Sequence, residues 1–180
     1  MKHSWPPYGL SNAEKSLDDL ADSVRHPPQN RTDDEQIWLT RFLIVRACGY
    51  LEQAVHQAAL SHLEARSGGT ARAFALSWLS RSRNPSPENV LQLLGRFDAS
   101  LREEFLEMLD DNGGELRREL SVLMGRRHGI AHGLNEGLGS RRALELVAVA
   151  KQVADWFLLV MNPDVSRVAL RRGQRPIDPA

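Results

Sequence analysis

Residues 32–69 read TDDEQIWLTRFLIVRACGYLEQAVHQAALSHLEARSGG and predict one long helix. Thr32 and Glu35 have the spacing of a capping box, in which hydroxyl and carboxylate satisfy the first unpaired N–H groups of a helix. Apolar residues then recur every three or four positions, until Ser67-Gly68-Gly69 ends the pattern. The expected helix spans about residues 33–66, and its apolar stripe consists of Ile37, Trp38, Phe42, Val45, Leu51, Val55, Ala59 and Leu63.

Shorter helices are predicted on both sides of this segment. Ser11 and Glu14 form a second capping box, which predicts a first helix at about 12–25 that Pro27-Pro28 ends. After the long helix, the apolar spacing predicts helices at about 70–83, from Pro87, around 101–109, at 115–131, and at 141–162 with Ser140 as cap. No alternating strand pattern is present, so the sequence predicts an all-α bundle.

Composition indicates one soluble globular domain. Apolar residues make up 42% of the chain, and 23 Lys and Arg balance 23 Asp and Glu, so nucleic-acid binding would need a local basic patch. The single cysteine, Cys48, excludes a disulfide framework and fits a cytoplasmic protein, and its apolar surroundings predict a small core residue. No secretory signal or membrane span is expected. We predict a loose N-terminal arm at 1–10, a helical domain at 11–162 and a flexible basic tail at 163–180.

The segment Arg127-His128-Gly129-Ile130-Ala131-His132-Gly133 carries the candidate chemistry. Arg is a permanent cation that grips phosphate oxygens, and His is the side chain best suited to move a proton near neutral pH. In principle, these two groups suffice to cleave RNA by its own 2′-hydroxyl without a metal or cofactor. His132 would act as base or acid, and Arg127 would clamp the phosphate.

Geometry sets a condition on this pair. Five residues of regular helix leave about 140° between two side chains, so a straight helix would not aim both at one point. Gly129 and Gly133 suggest that the backbone departs from regularity here. One chain also supplies a single catalytic imidazole, and twofold pairing of two chains would bring two sets together. A basic stripe supports phosphate contact, with Arg117, Arg118, Arg126, Arg127, Arg141 and Arg142 against Glu115, Glu119 and Glu136.

The segment from Arg127 to His132 matches the R-x4-H signature of HEPN domains (higher eukaryotes and prokaryotes nucleotide-binding). The stretch from Leu120 to Gly133 and the helix from Arg141 to Met161 resemble the last two helices of that domain. The long helix around Ala47–Glu52 resembles the branch found beside bacterial defence and toxin–antitoxin systems. The resemblance covers about residues 33–162 and implies a HEPN-like bundle of long antiparallel helices with short accessory helices.

The resemblance implies a metal-independent endoribonuclease that leaves a 2′,3′-cyclic phosphate and serves as a toxin or defence effector on cellular RNA such as tRNA or mRNA. Arg and His meet across a homodimer in this family, and an antitoxin or regulatory protein is a possible partner. Carried over, Arg127 and His132 are the catalytic residues. Arg126 and His128 would help to bind RNA, with His128 standing where many members have Asn.

Other interpretations remain open from the sequence. The domain could be catalytically silent and bind RNA, nucleotide or a protein partner, or it could only dimerise. His132 could be a helix C-terminal cap, and Arg127 a surface ion-pair partner. His128 and His132 stand four apart but have no carboxylate or thiol at metal-ligand spacing, so a metal site is disfavoured. His56 and His62 are expected at the surface or an interface, Glu52 at the edge of the core, and Trp38, Trp78 and Trp156 in the core.

Overall fold

The computed structural model describes residues 5–79, 84–133 and 137–165, which contain helices and no strand. The all-α fold expected from the sequence is confirmed. Within these ranges the helices are α1 Tyr8–Arg25, α2 Asp33–Arg66, α3 Gly69–Leu79, α4 Pro87–Phe97, α5 Ala99–Ala131 and α6 Ser140–Met161. None of them is both long and apolar enough to cross a membrane. The last part of the predicted third helix, at 80–83, and the tail beyond residue 165 lie outside the described residues.

Helix α2 begins and ends as the sequence predicted. The Glu35 N–H donates to Thr32 Oγ1 at 3.2 Å, and the Thr32 N–H donates to Glu35 Oε2 at 2.8 Å, which completes the capping box. Acidic residues in the first turn also oppose the positive end of the helix dipole. At the other end, the Ser67 hydroxyl donates to the Leu63 carbonyl at 2.6 Å.

The buried face of α2 differs from the predicted one in its first half. Ile37, Trp38 and Phe42 are 43%, 66% and 52% exposed, so their assignment to the inward stripe was wrong, as was a core position for Trp38. The helix instead buries a face made mostly of small and aliphatic side chains together with Tyr50, namely Thr40, Leu43, Ile44, Ala47, Cys48, Tyr50, Leu51, Ala54, Val55, Ala58 and Ala59. Alanines let the axes of neighbouring helices approach closely, so this face packs against α1 and α6 and leaves Trp38 and Phe42 outside.

Two predicted caps do not form. Helix α1 begins at Tyr8 after Pro7, and Leu10 is buried, so the helix starts inside the segment expected to be a loose arm and Ser11 lies within it. Helix α6 has Gly139 at its N-cap with no side-chain cap bond. The Ser140 hydroxyl is used in tertiary contacts instead, 2.9 Å from Gln36 Nε2 and 3.1 Å from Thr40 Oγ1.

The long helices do not all run antiparallel. Gln36 Nε2 donates to the Val24 carbonyl at 2.9 Å, where α1 ends and α2 begins, so these two helices are antiparallel neighbours. By contrast, Ser140 at the start of α6 meets the first turns of α2, and the Met161 carbonyl at its end lies 2.9 Å from His62 Nδ1. Helices α2 and α6 therefore run parallel, which corrects the expected arrangement for this pair.

Helix α5 consists of two helical halves around a break at Asp111–Gly114. Asn112, Gly113 and Gly114 have φ of 50°, 69° and 75°, in the left-handed region that glycine adopts without strain. The break lies between the two helices predicted around 101–109 and at 115–131. The first half packs on α4, and the second half passes α2 and carries the Arg/His segment at its end.

Candidate active site at the end of α5

The two histidines of the Arg/His segment lie side by side in solvent. Helix α5 continues regularly to Ala131, and the His132 N–H donates to the carbonyls of His128 at 3.1 Å and Gly129 at 3.2 Å. Gly133, with φ of 74°, ends the helix. Both imidazoles are exposed, and their ring centroids are 4.3 Å apart at an interplanar angle of 59°. A substrate can therefore reach two proton-transfer groups in one chain.

This pairing corrects the expectation of a single imidazole per chain. The sequence predicts only an assisting role for His128, because this residue replaces a polar residue of the R-x4-H motif. The available signal was its spacing, since residues four apart on a helix share one face. The structure makes His128 a neighbour of His132, and dimerisation is therefore not needed merely to supply a second imidazole.

Arg127 lies on a different side of the helix from His132. Because the backbone stays helical through Ala131, the angular separation of about 140° between the two side chains persists. Gly129 sits within the regular helix and is buried, so the expected irregularity occurs only at Gly133. The half-buried Arg127 makes no hydrogen bond or ion pair with the part of the chain that the structure describes.

Arg127 lies near α2, as its effect on the pKa of the Cys48 thiol indicates. Cys48 is buried, with its Sγ 3.7 Å from the Leu123 carbonyl, one helical turn before Arg127. Burial raises the pKa of the Cys48 thiol to about 12, against an opposing effect of the Arg127 guanidinium and with a further increase from the Glu52 carboxylate. Cys48 is thus the core residue predicted from the sequence, and Arg127 and Glu52 both lie close enough to influence it.

Several arginines of the predicted basic stripe are already paired. Arg142 Nη2 lies 2.6 Å from Glu119 Oε2, Arg117 Nη2 2.8 Å from Asp110 Oδ1, and Arg141 Nε 3.3 Å from Glu145 Oε1. Arg118 donates to the Gly113 carbonyl at 2.6 Å. The half-buried Arg126 is also engaged, and Glu136 lies outside the described residues. Phosphate contact by the basic stripe stays a prediction. Arg127 is the best-placed member of the stripe, because it has no partner in the described chain.

His62 and Trp156 take part in contacts between helices. His62 bonds the end of α6 and meets the Phe97 ring edge-on at 5.8 Å between centroids. Trp156 is half-buried and packs on Phe105 at 5.0 Å. In the ranges that the structure describes, no group of three or more His, Cys, Asp or Glu side chains is arranged to hold a metal ion.

A protein-family model described as RiboL-PSP-HEPN matches residues 10–157. The match extends from the first turns of α1 into the last turn of α6 and includes Arg126, Arg127, His128 and His132. Searches of curated proteins and of solved structures gave no match. The family match identifies neither the defence branch nor the catalytic residues.

Proposed function

This chain belongs to the RiboL-PSP-HEPN family, and from that membership we propose that it is a metal-independent endoribonuclease. HEPN domains are often ribonucleases. The observation that carries the proposal is the exposed His128/His132 pair at the end of α5, in the same segment as Arg127, which has no partner in the described chain. A role as toxin or defence effector rests on the sequence resemblance alone.

In the proposed reaction the 2′-oxygen of the RNA attacks the adjacent phosphorus. An imidazole removes the 2′ proton as the new oxygen–phosphorus bond forms, and an imidazolium protonates the 5′-oxygen as its bond to phosphorus breaks. The products are a 2′,3′-cyclic phosphate and a free 5′-hydroxyl, and no proton or electron is gained overall. His132 is assigned the proton transfer. Arg127 would offset the negative charge on the phosphate oxygens, and His128 and Arg126 would bind the substrate.

The proposal is tested by incubating the purified full chain with total RNA in the presence of excess EDTA. We expect cleavage at discrete sites, at the same rate with and without the chelator, because imidazole and guanidinium supply all the required groups. Inhibition by EDTA would point to a metal enzyme. RNA binding without any product over hours would favour the catalytically silent alternative.

We also propose that the active form is a homodimer. Arg127 and His132 of one chain diverge around α5, so a phosphate held by one chain's Arg127 meets a histidine more easily from a second chain. Large exposed apolar residues mark a surface for such contact, namely Ile37, Trp38 and Phe42 on α2. Glu52, which like Arg127 lies near Cys48, is within about 40° of Trp38 around the helix, so this surface extends along α2 towards Cys48.

Replacing Trp38 by glutamate should convert the dimer into a monomer. A tryptophan buried at the centre of an interface contributes about 2 kcal/mol or more, which corresponds to a dissociation constant roughly 30-fold higher. Light scattering coupled to gel filtration measures the mass directly. Phe74→Glu is the matched control, because Phe74 is 76% exposed on α3. A parent protein that is monomeric throughout, or a dimer insensitive to Trp38→Glu, would contradict this interface.

A further inference from the structure

A cleft is lined by residues of α2, α3, α4 and the connection between α3 and α4. It is open to solvent, and the space within it, including its open mouth, is about 490 Å³. Its apolar lining includes Val55, Trp78, Val90 and Leu93, and its polar groups include Glu52 and His56, one helical turn apart on α2. A concave, mostly apolar cleft with a few polar groups is typical of sites that bind small molecules.

Two polar side chains of the cleft, Glu52 and Asn89, offer hydrogen-bond acceptors. The half-buried Glu52 carboxylate makes no hydrogen bond or ion pair within the described ranges, so both of its oxygens are available. Asn89 Nδ2 donates to the Asn84 carbonyl at 2.8 Å, which leaves the Asn89 side-chain oxygen as an acceptor. A ligand that satisfies these groups must present adjacent N–H donors.

Among the RNA bases, only guanine has two adjacent donors on its pairing edge, the N1–H and the exocyclic amine. Adenine and cytosine place an acceptor beside a single amino group, and uracil has one N–H between two carbonyls. A carboxylate that accepts two parallel hydrogen bonds therefore matches guanine and leaves an acceptor unpaired against each of the others.

The walls of the cleft suit a base that is extruded from an RNA strand. Single-stranded RNA is commonly read by placing unstacked bases against aromatic side chains and bonding their pairing edges. Trp78 supplies an aromatic surface, and its ring is held by the Arg96 guanidinium, whose carbon lies 3.9 Å from the ring centre.

Glu52 of the cleft and Arg127 both lie near Cys48. Glu52 is one turn from Cys48 on α2, and Arg127 is one turn from Leu123 on α5, while Cys48 and Leu123 are in direct contact. Both charges also act on the pKa of the Cys48 thiol, which Arg127 lowers and Glu52 raises, so both side chains lie near this thiol. A nucleotide with its base beside Glu52 can present its phosphate to Arg127.

We propose that this cleft is a guanine subsite that holds the base next to the phosphate to be cut. The assignment of that phosphate rests on the proposed ribonuclease function. The guanine preference itself rests on the acceptors and the apolar walls of the cleft.

The test is a calorimetric titration of the full chain with 5′-GMP, 5′-AMP, 5′-CMP and 5′-UMP. Each of these nucleotides carries one 5′-phosphate, so differences between their affinities reflect the base. We expect GMP to bind about 10-fold to 100-fold more tightly than the others, as hydrogen bonds to a charged acceptor imply. Glu52→Gln replaces one acceptor oxygen by a donor and should remove this preference. Glu107→Gln, the same change on the exposed side of α5, should leave it intact.

Circular dichroism and thermal melting establish whether Glu52→Gln is folded, and Asn89→Ala is the second variant if it is not. Equal affinity for all four nucleotides, no binding at millimolar concentration, or a GMP preference that survives in the folded variants would overturn the subsite. Because the titration needs no turnover, selective GMP binding without RNA cleavage would keep the subsite and refute the nuclease. RNA cleavage with no guanine near the cut sites would keep the nuclease and refute the subsite.

Discussion

His132→Ala should yield a folded protein that cuts RNA about 10²-fold to 10⁴-fold more slowly than the parent, the usual contribution of a general acid or base. The His132 side chain is exposed at the C-cap of α5. Only the backbone N–H of this residue bonds to the last turn of the helix. Removal of the imidazole therefore leaves the packing unchanged. Initial rates on a defined RNA measure the loss.

Two controls separate chemistry from stability in this experiment. His26 is also an exposed histidine at a helix C-cap, that of α1, and His26→Ala should cut RNA at the parent rate. Each substitution should change the free energy of unfolding by at most about 1 kcal/mol, the range of a charge at a helix end. A His132→Ala protein that cleaves as fast as the parent would refute the assignment of His132.

Arg127→Ala is expected to lower kcat/KM for RNA cleavage by about 10²-fold to 10³-fold, as for the loss of one preorganised donor to a developing anion. Arg127→Lys should recover only part of this loss, because an ammonium keeps the charge but cannot form two parallel hydrogen bonds to a phosphate. The same cleavage assay measures both variants.

Arg25→Ala is the matched control for Arg127, since the Arg25 side chain is 51% exposed, lies outside the basic stripe and bonds only locally to Asp22. Arg127 has no ion pair in the described chain, so its replacement by alanine should not lower the melting temperature appreciably. Loss of activity in proportion to loss of folded protein would show that Arg127 has a structural role instead.

The helices were largely predictable because their signals are local. The Thr32/Glu35 capping box and the left-handed turn at 111–114 depend on residues within a few positions of one another. The inward face of α2 was not predictable in the same way. Hydrophobicity favoured Trp38 and Phe42, whereas burial was decided by which face allows α1 and α6 to approach, and that face is rich in alanine. The Ser140 hydroxyl likewise contacts partners on α2, about 100 positions away in sequence, instead of capping α6.

The candidate site was predictable as residue types but not as an arrangement. The R-x4-H spacing identified Arg127 and His132, and the four-residue spacing of His128 and His132 already implied that their rings share a face. The proximity of Arg127 to α2 and the cleft that contains Glu52 depend on packing between helices far apart in sequence. A single sequence holds no signal for such contacts.

The chemical nature of the new 3′ ends tests the central claim most directly. Mass spectrometry of a defined RNA, incubated with excess EDTA, should find 2′,3′-cyclic phosphate ends with the parent protein and intact RNA with His132→Ala. Ends that carry a 3′-hydroxyl, or cleavage that appears only after a divalent metal is added, would contradict catalysis by Arg127 and His132.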